Sequence, residues 1–361
     1  MKRIKYLVLV ITLLFSSCYD RAPIERTSIT VGVGHDLVGE NLLSATFEFV
    51  IFQQGETTSK SVITTTGKSI FEMYNKRLLI TKRRHLPGTI RLLIISEKRA
   101  KFGINDIIDV FLRDQERELN TTVVISKQKT DEILSLKPKD ATTMSEEIED
   151  LARSAFETNF TQRDTNIKDV FNMYYQDGRR LMIPYIEKYR DTVKISGIAV
   201  FDKDKMIFTI PEDDSKFINL LRNDNSKGYL SFPNNTGKSF DLFSSSRRKI
   251  NVDIKDEKIN YTIHLLIYAY IKEKNIDGDI ELNKEEIDSL QEKYAKKLKE
   301  QLEDIISKYQ SNYGIDIFDI QKYALAKIGK EKIEEVEKNF KNSNINVDVK
   351  IKFISTGRLF R

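Results

Sequence analysis

The chain is poor in the residues that staple, ligate and cut. One cysteine, Cys18, occurs in 361 residues, so no internal disulfide can form and packing alone must hold each domain. Tryptophan is absent, proline occurs six times and histidine three times. His35, His85 and His264 lie far apart, none with a second ligand at metal-binding spacing. GxSxG, HExxH and CxxC are all missing. "GVGHDLVG" carries three glycines, but they are not in GxGxxG order, and the helix needed to receive a phosphate is lacking. His35-Asp36 sets an imidazole beside a carboxylate and reads as a strand end rather than a catalytic pair. No metal and no cofactor are expected, and the pattern favours binding or assembly over catalysis.

Excess charge of one sign is missing too. The 59 basic and 54 acidic residues give +5. Residues 1–17 hold three of the basic residues and none of the acidic ones, leaving 56 against 54, or +2, in the rest. A nucleic-acid partner is therefore not expected. No later apolar run approaches the roughly 18 residues that a membrane-spanning helix needs.

What the sequence does have begins at its N-terminus. A basic segment, Met1 to Lys5, precedes an apolar run from Tyr6 to Phe15. Ten helical residues span about 15 Å, half the hydrocarbon core, which is the plan of a signal peptide rather than a membrane span. Leu14-Phe15-Ser16-Ser17-Cys18 resembles a bacterial lipobox, with Phe15 in place of the usual Leu, Val or Ile. In that chemistry Cys18 becomes an S-diacylglycerol cysteine and, after cleavage, the first residue, whose amino group can also be acylated, for example with palmitate. An ordinary cleaved signal with an unmodified cysteine is the other reading. Two or more acyl chains anchor stably where one is marginal. The expectation is a signal peptide over 1–17 and a lipidated tether over 18–26, whose "YDRAPIER" reaches at most about 28 Å.

Beyond the tether, strand and helix patterns alternate. "SITVGVG", "LSATFEFVIFQ", "SVITTT", "GTIRLLIIS" and "TTVVIS" read as strands. "GKSIFEMYNKRLLIT" and "INDIIDVFLRD" read as helices, the second with Ile104, Ile107, Ile108, Phe111 and Leu112 on one apolar face. From about 130 to 188 the pattern is mostly helical, with Thr143 and Glu146 spaced as a capping box. "VKISGIAVFDKDKMIFTI" reads as a hairpin, "KINYTIHLLIYAYIKE" as a central strand, 283–310 as a long helix capped by Asn283, and "INVDVKIKFIS" as a closing strand. The polar "EKYRDT" (187–192) is the expected boundary between an N-terminal α/β region over 27–190, with room for two subdomains, and a C-terminal α/β domain over 193–361. "FPNNTGKSFDLFSSSRR" (232–248) reads as an exposed loop. The fold class is α+β (mixed α/β): elongated, two to three domains, with mostly antiparallel or mixed sheets flanked by helices.

Several segments, in order, resemble one family. Cys18, Tyr19, Asp20, Arg21, Gly32, Gly34 and Asp36 stand where the Ger(x)C spore-germination lipoproteins (the GerAC/GerBC type) begin their mature chains. Glu97, Ala100, Gly103, Ile104, Arg113, Asp114 and Glu116 are similar to the family's middle segment, with Arg117 shifted by one. "ISGIAVFDKDKMI" and "YGIDIFDIQKYALAKIGKEKIEEVEKNF" resemble the start and end of its C-terminal domain. The resemblance implies a lipid-anchored, non-catalytic subunit of a nutrient germinant receptor, on the outer face of the spore inner membrane. Its implied partners are two integral-membrane subunits, a large A-type and a permease-like B-type. A solute-binding lipoprotein of a transporter and a cell-envelope hydrolase are the alternative readings.

Overall fold

A computed structural model describes residues 27–52, 58–82, 84–86, 88–114, 118–161, 165–233, 239–255, 258–274 and 283–355. Cys18, the signal segment and the tether lie outside the described residues.

The elements run β1 (Thr27–Leu37), β2 (Leu43–Phe52), β3 (Thr58–Gly67), α1 (Ile70–Ile80), β4 (Arg84–Leu86), β5 (Leu92–Ser96), α2 (Glu97–Phe102), α3 (Asn105–Arg113) and β6 (Thr122–Ser126). Then come α4 (Thr130–Leu134), α5 (Met144–Thr158), α6 (Ile167–Tyr175), β7 (Met182–Tyr189), β8 (Thr192–Asp202), β9 (Lys205–Pro211) and α7 (Glu212–Arg222). The last third holds β10 (Lys227–Pro233), β11 (Ser239–Lys255), β12 (Lys258–Lys274), α8 (Lys284–Tyr313), α9 (Gln321–Ile328), α10 (Ile333–Asn339) and β13 (Asn344–Ser355).

Two sheets organise them. The first has the order β3-β2-β1-β5-β6-β7-β8-β9, with β4 also paired to β1. Its centre is parallel, β1 to β5 to β6 to β7, and its flanks are antiparallel. β5 and β6 read as continuous apolar runs because both their faces are covered. On one face Val33, Phe47, Phe49, Leu93 and Ile95 pack with residues of α1, α3 and α6. On the other, Leu92, Ile94 and Val124 meet α4 and α5. The second sheet, β10-β11-β12-β13, rests one face on α8. Asn283 and Glu286 close a reciprocal capping box at the start of α8, and Tyr294, Leu298, Leu302, Ile305 and Tyr309 form its buried stripe.

Four expectations change. Residues 182–189 are strand β7 rather than the end of a helical stretch: α6 stops at Tyr175, Gly178 turns at φ 69°, and the short Met182–Ile186 run takes its period from its neighbour β8. Most of 232–248 is strand: β10 ends at Pro233, and in β11 Phe240, Leu242, Ser244 and Ser246 alternate inward, a period of two that the serines disguise. At α5, Thr143 caps Glu146, but the Glu146 carboxylate accepts from the Thr142 amide instead of closing the box. Leu112, expected in the core, is exposed, because α3 buries only the Ile107, Ile108 and Phe111 side of its face. The "EKYRDT" segment forms the β7–β8 hairpin, with Arg190 at φ 57°, inside the first sheet.

Candidate functional site

The Gly-x-Gly-x-Asp run of β1 explains itself once the helices are placed. Gly32, Gly34 and Asp36 share one face of the strand, two residues apart. A Cβ on Gly34 would stand 2.2 Å from Thr130 Oγ1, and one on Gly32 would stand 1.8 Å from Ser145 Oγ. The glycines thus let the first turns of α4 and α5 lie directly on the sheet. Two buried carboxylates meet those turns. Asp36 accepts from the Thr130 amide at 3.1 Å and from Thr130 Oγ1 at 2.5 Å. Glu48, opposite Gly32 on β2, accepts from the amides of Met144 at 2.9 Å and Ser145 at 2.8 Å, from the Ser145 hydroxyl, and pairs with Lys60 at 3.1 Å. Burial raises the Asp36 carboxyl, while its bonds to Thr130 and Ser96 oppose that rise. Both acids are occupied in receiving orphan helix N–H groups.

The histidines separate. His35 points to the opposite face from Asp36, buried and stacked 6.2 Å from Tyr74, so the adjacent pair cannot act together. His85 lies in β4, paired through its backbone with Ser28. His264 sits on the open face of the second sheet between Asn251 and Asp348, each at 3.1 Å. Among the described residues no group of three His, Cys, Asp or Glu side chains could hold a metal ion.

The Glu97-to-Ile104 segment forms α2 and its exit. Arg99 is buried and donates to the Gly103 carbonyl and to Asp106. The Tyr185 hydroxyl donates to Glu97, and burial together with that bond pushes the phenol pKa up. Gly103 holds φ 134°, and a Cβ there would strike Asp204 of the β8–β9 turn at 2.5 Å. The segment therefore joins β5 to the far hairpin of the same sheet.

A third cluster joins the two sheets' structures. After the left-handed Gly314 cap, Asp316 accepts from the amides of Phe318, Ile320 and Gln321 at 2.7–2.8 Å, starting α9. Asp319, at φ 58°, receives Arg179 through two bonds, 3.0 and 3.2 Å, and Lys322 at 2.6 Å. Arg222 is buried and donates to the carbonyls of Ile317 and Arg180, and Arg248 donates to that of Phe318. Burial would raise the Asp319 carboxyl, but Arg222, Arg179 and Lys322 outweigh it and hold the pKa at about 2. The reading of the sequence missed Glu48, Arg222, Arg248 and Asp319. The available signals were an acid inside the apolar "FEFVIF" and the paired aspartates of "DIFD".

Beside Arg222 a cavity of about 70 Å³ opens between α5, α6, β8 and α7, lined by Met173, Gly197, Asn219 and Asn223 among others.

Comparison with known proteins covers both halves of the chain. Residues 20–188 match the family described as "Spore germination protein N-terminal domain", and 196–357 match "Spore germination B3/ GerAC like, C-terminal". The chain is similar to spore germination protein GerQC of Bacillus cereus, 21% identical over 97% of this chain and 98% of that one. It is also similar to spore germination protein A3 of Bacillus subtilis strain 168, 23% identical over 70% of this chain and 69% of that one. Its fold resembles the crystal structure of the GerBC protein, with a TM-score of 0.58 and 13% identity, covering 93% of this chain and 100% of that one. Similarity that spans both halves in order, on a shared elongated mixed α/β fold, settles the family: the chain belongs to the GerAC-like spore germination proteins.

Proposed function

We propose that this chain is the lipid-anchored, non-catalytic subunit of a spore nutrient germinant receptor. It would sit on the outer face of the spore inner membrane and be needed for assembly of, or signalling by, a complex with a large A-type and a permease-like B-type integral-membrane subunit. The observation that carries the reading is positional: the family match starts at residue 20, two residues beyond Cys18 of the Ser16-Ser17-Cys18 run, and continues to 357. A signal segment, a modifiable cysteine and the family's N-terminal domain thus succeed one another with only a short tether between. No helix among the described residues is long and apolar enough to cross a membrane, so the reading assigns attachment to lipid on Cys18. The buried acids support a structural role, since Asp36, Glu48 and Asp316 are engaged with helix amides and Asp319 with cations.

Cys18→Ala tests it. The variant is expected to lose the lipid mass on residue 18 and to give spores that germinate poorly on nutrients. Normal nutrient germination by spores whose protein carries no lipid would contradict the proposal.

A further inference from the structure

Helix α1 is built inside out. Its buried side carries Ile70, Met73 and Arg77, and the Arg77 guanidinium lies 4.8 Å over the Phe47 ring. Its last turn leaves Leu78, Leu79 and Ile80 in the open, Leu79 at 87% exposure. A helix that buries an arginine and exposes three consecutive large aliphatic residues departs from the pattern of a helix on a soluble domain.

The sheet order gives this patch its place. β1, β5 and β6 are parallel, so their N-terminal ends share one edge of the sheet. The chain reaches that edge from the last turn of α1, which leads into β4 and β5, and from the last turn of α3, which leads into β6. Leu112 in the last turn of α3 and Leu119 in the loop after it are exposed as well. The loop is fixed to this edge by Thr121, whose hydroxyl donates to the Ile90 carbonyl at 2.7 Å. β4 pairs Arg84 with Thr27. Ile80 is thus four residues, at most about 14 Å of chain, from the strand position beside Thr27. Thr27 is where the tether from Cys18 enters the fold, and nine peptide steps from Cys18 reach at most about 32 Å. The exposed aliphatic end and the entry point of the tether are therefore the same end of the domain. Directly after Ile80 and Thr81 comes Lys82, exposed, a cation suited to headgroup phosphates.

We propose that this end of the first sheet, with Leu78, Leu79 and Ile80 at its tip, rests in the interfacial layer of the bilayer that holds the Cys18 lipid. The inference rests on the lipid anchoring proposed above. The lipid would retain the protein, and the patch would fix its orientation, setting the N-terminal ends of β1, β5 and β6 down and the β7–β8 hairpin away. A lipid alone on a nine-residue tether allows many orientations, whereas a second, apolar contact beside the tether selects one.

Because lipid occupies Cys18, Leu79→Cys introduces one reactive thiol on an exposed site. The lipidated full chain, carrying an environment-sensitive fluorophore at 79, is placed on phosphatidylglycerol–phosphatidylethanolamine vesicles containing nitroxide lipids. Lys299→Cys, on the solvent side of α8, is the reference. The label at 79 is expected to shift to the blue and to be quenched at least about threefold more than the label at 299, since interfacial side chains sit within 5–10 Å of the acyl boundary. Equal quenching at the two positions overturns the proposal. So does a label at 79 that is unquenched on lipid vesicles yet shielded in spore membranes, which would give the face to a protein partner. The mass of residue 18, measured on the same samples, separates these outcomes from failure of the anchoring itself: an unmodified thiol there overturns the anchoring reading, and this one with it.

Discussion

Gly34→Val is expected to detach the α4–α5 layer from the first sheet. The new Cβ would lie 2.2 Å from Thr130 Oγ1 and 2.3 Å from Thr130 Cβ, and a valine adds two methyls to that clash. Thr130 cannot step aside cheaply, because its amide and hydroxyl hold the buried Asp36. Overpacking costs about 1–3 kcal/mol, and each lost hydrogen bond to a buried charged group costs about 1.5–3 kcal/mol more. Together these give a loss of roughly 4 kcal/mol or more, a large share of the 5–15 kcal/mol that holds a domain. Urea unfolding monitored by circular dichroism would show a markedly lower midpoint. Combining Gly34→Ala with Thr130→Gly, which removes the obstructing atoms, should recover part of what Gly34→Ala alone loses. A Gly34→Val midpoint within error of the wild type would mean that α4 does not lie on β1 as described.

The second large effect is expected at the junction of the two sheets. Asp319→Asn keeps the shape of the side chain and a residue type that tolerates the left-handed φ of 58°, but removes the charge that Arg179 and Lys322 share. Breaking a buried ion pair from one side costs about 3–5 kcal/mol. Lys308→Ala, which breaks the exposed contact to Asp214, should cost less than about 1 kcal/mol. The pH dependence gives a second check. Asp319 has its folded pKa held at about 2, below the ordinary 3.8. A depressed carboxyl binds its proton later in the folded state than in the unfolded one. Its contribution is therefore complete above the unfolded value and disappears as pH falls toward 2, amounting to about 2 kcal/mol. Asp36 has the opposite sign: its raised pKa means that protonation favours the folded state, and its contribution grows as pH falls. Subtracting the Asp319→Asn curve from the wild-type curve cancels Asp36 and isolates the junction. The difference should shrink between about pH 5 and pH 2. Parallel curves over that range would show that the Asp319 cluster does not link the two halves energetically.

The histidine-carboxylate pair illustrates why adjacency in sequence says little about chemistry in a strand. Consecutive residues point to opposite faces, so His35 joins the aromatic layer with Tyr74 while Asp36 meets α4. The helix partners of Asp36 and Glu48 come from 94 to 97 residues away, a separation at which no local pattern carries information. The same holds for Arg179 and Asp319, 140 residues apart.

By itself the sequence determined the mixed α/β class, the long capped helix, the hairpin at Asp202–Lys205, the long strand β12 and the family. Each of these is written in a local period, a capping residue or an ordered set of short motifs. Only the tertiary structure decided what the glycines of β1 are for, that 182–189 is a strand and that most of 232–248 is strand. It alone turned Leu78, Leu79, Ile80 and Leu112 outward at the end where the tether enters. The physical reason is common to all four: side-chain periodicity says that a residue lies on a face, but which face is covered, and by what, depends on contacts whose partners lie far off in the chain.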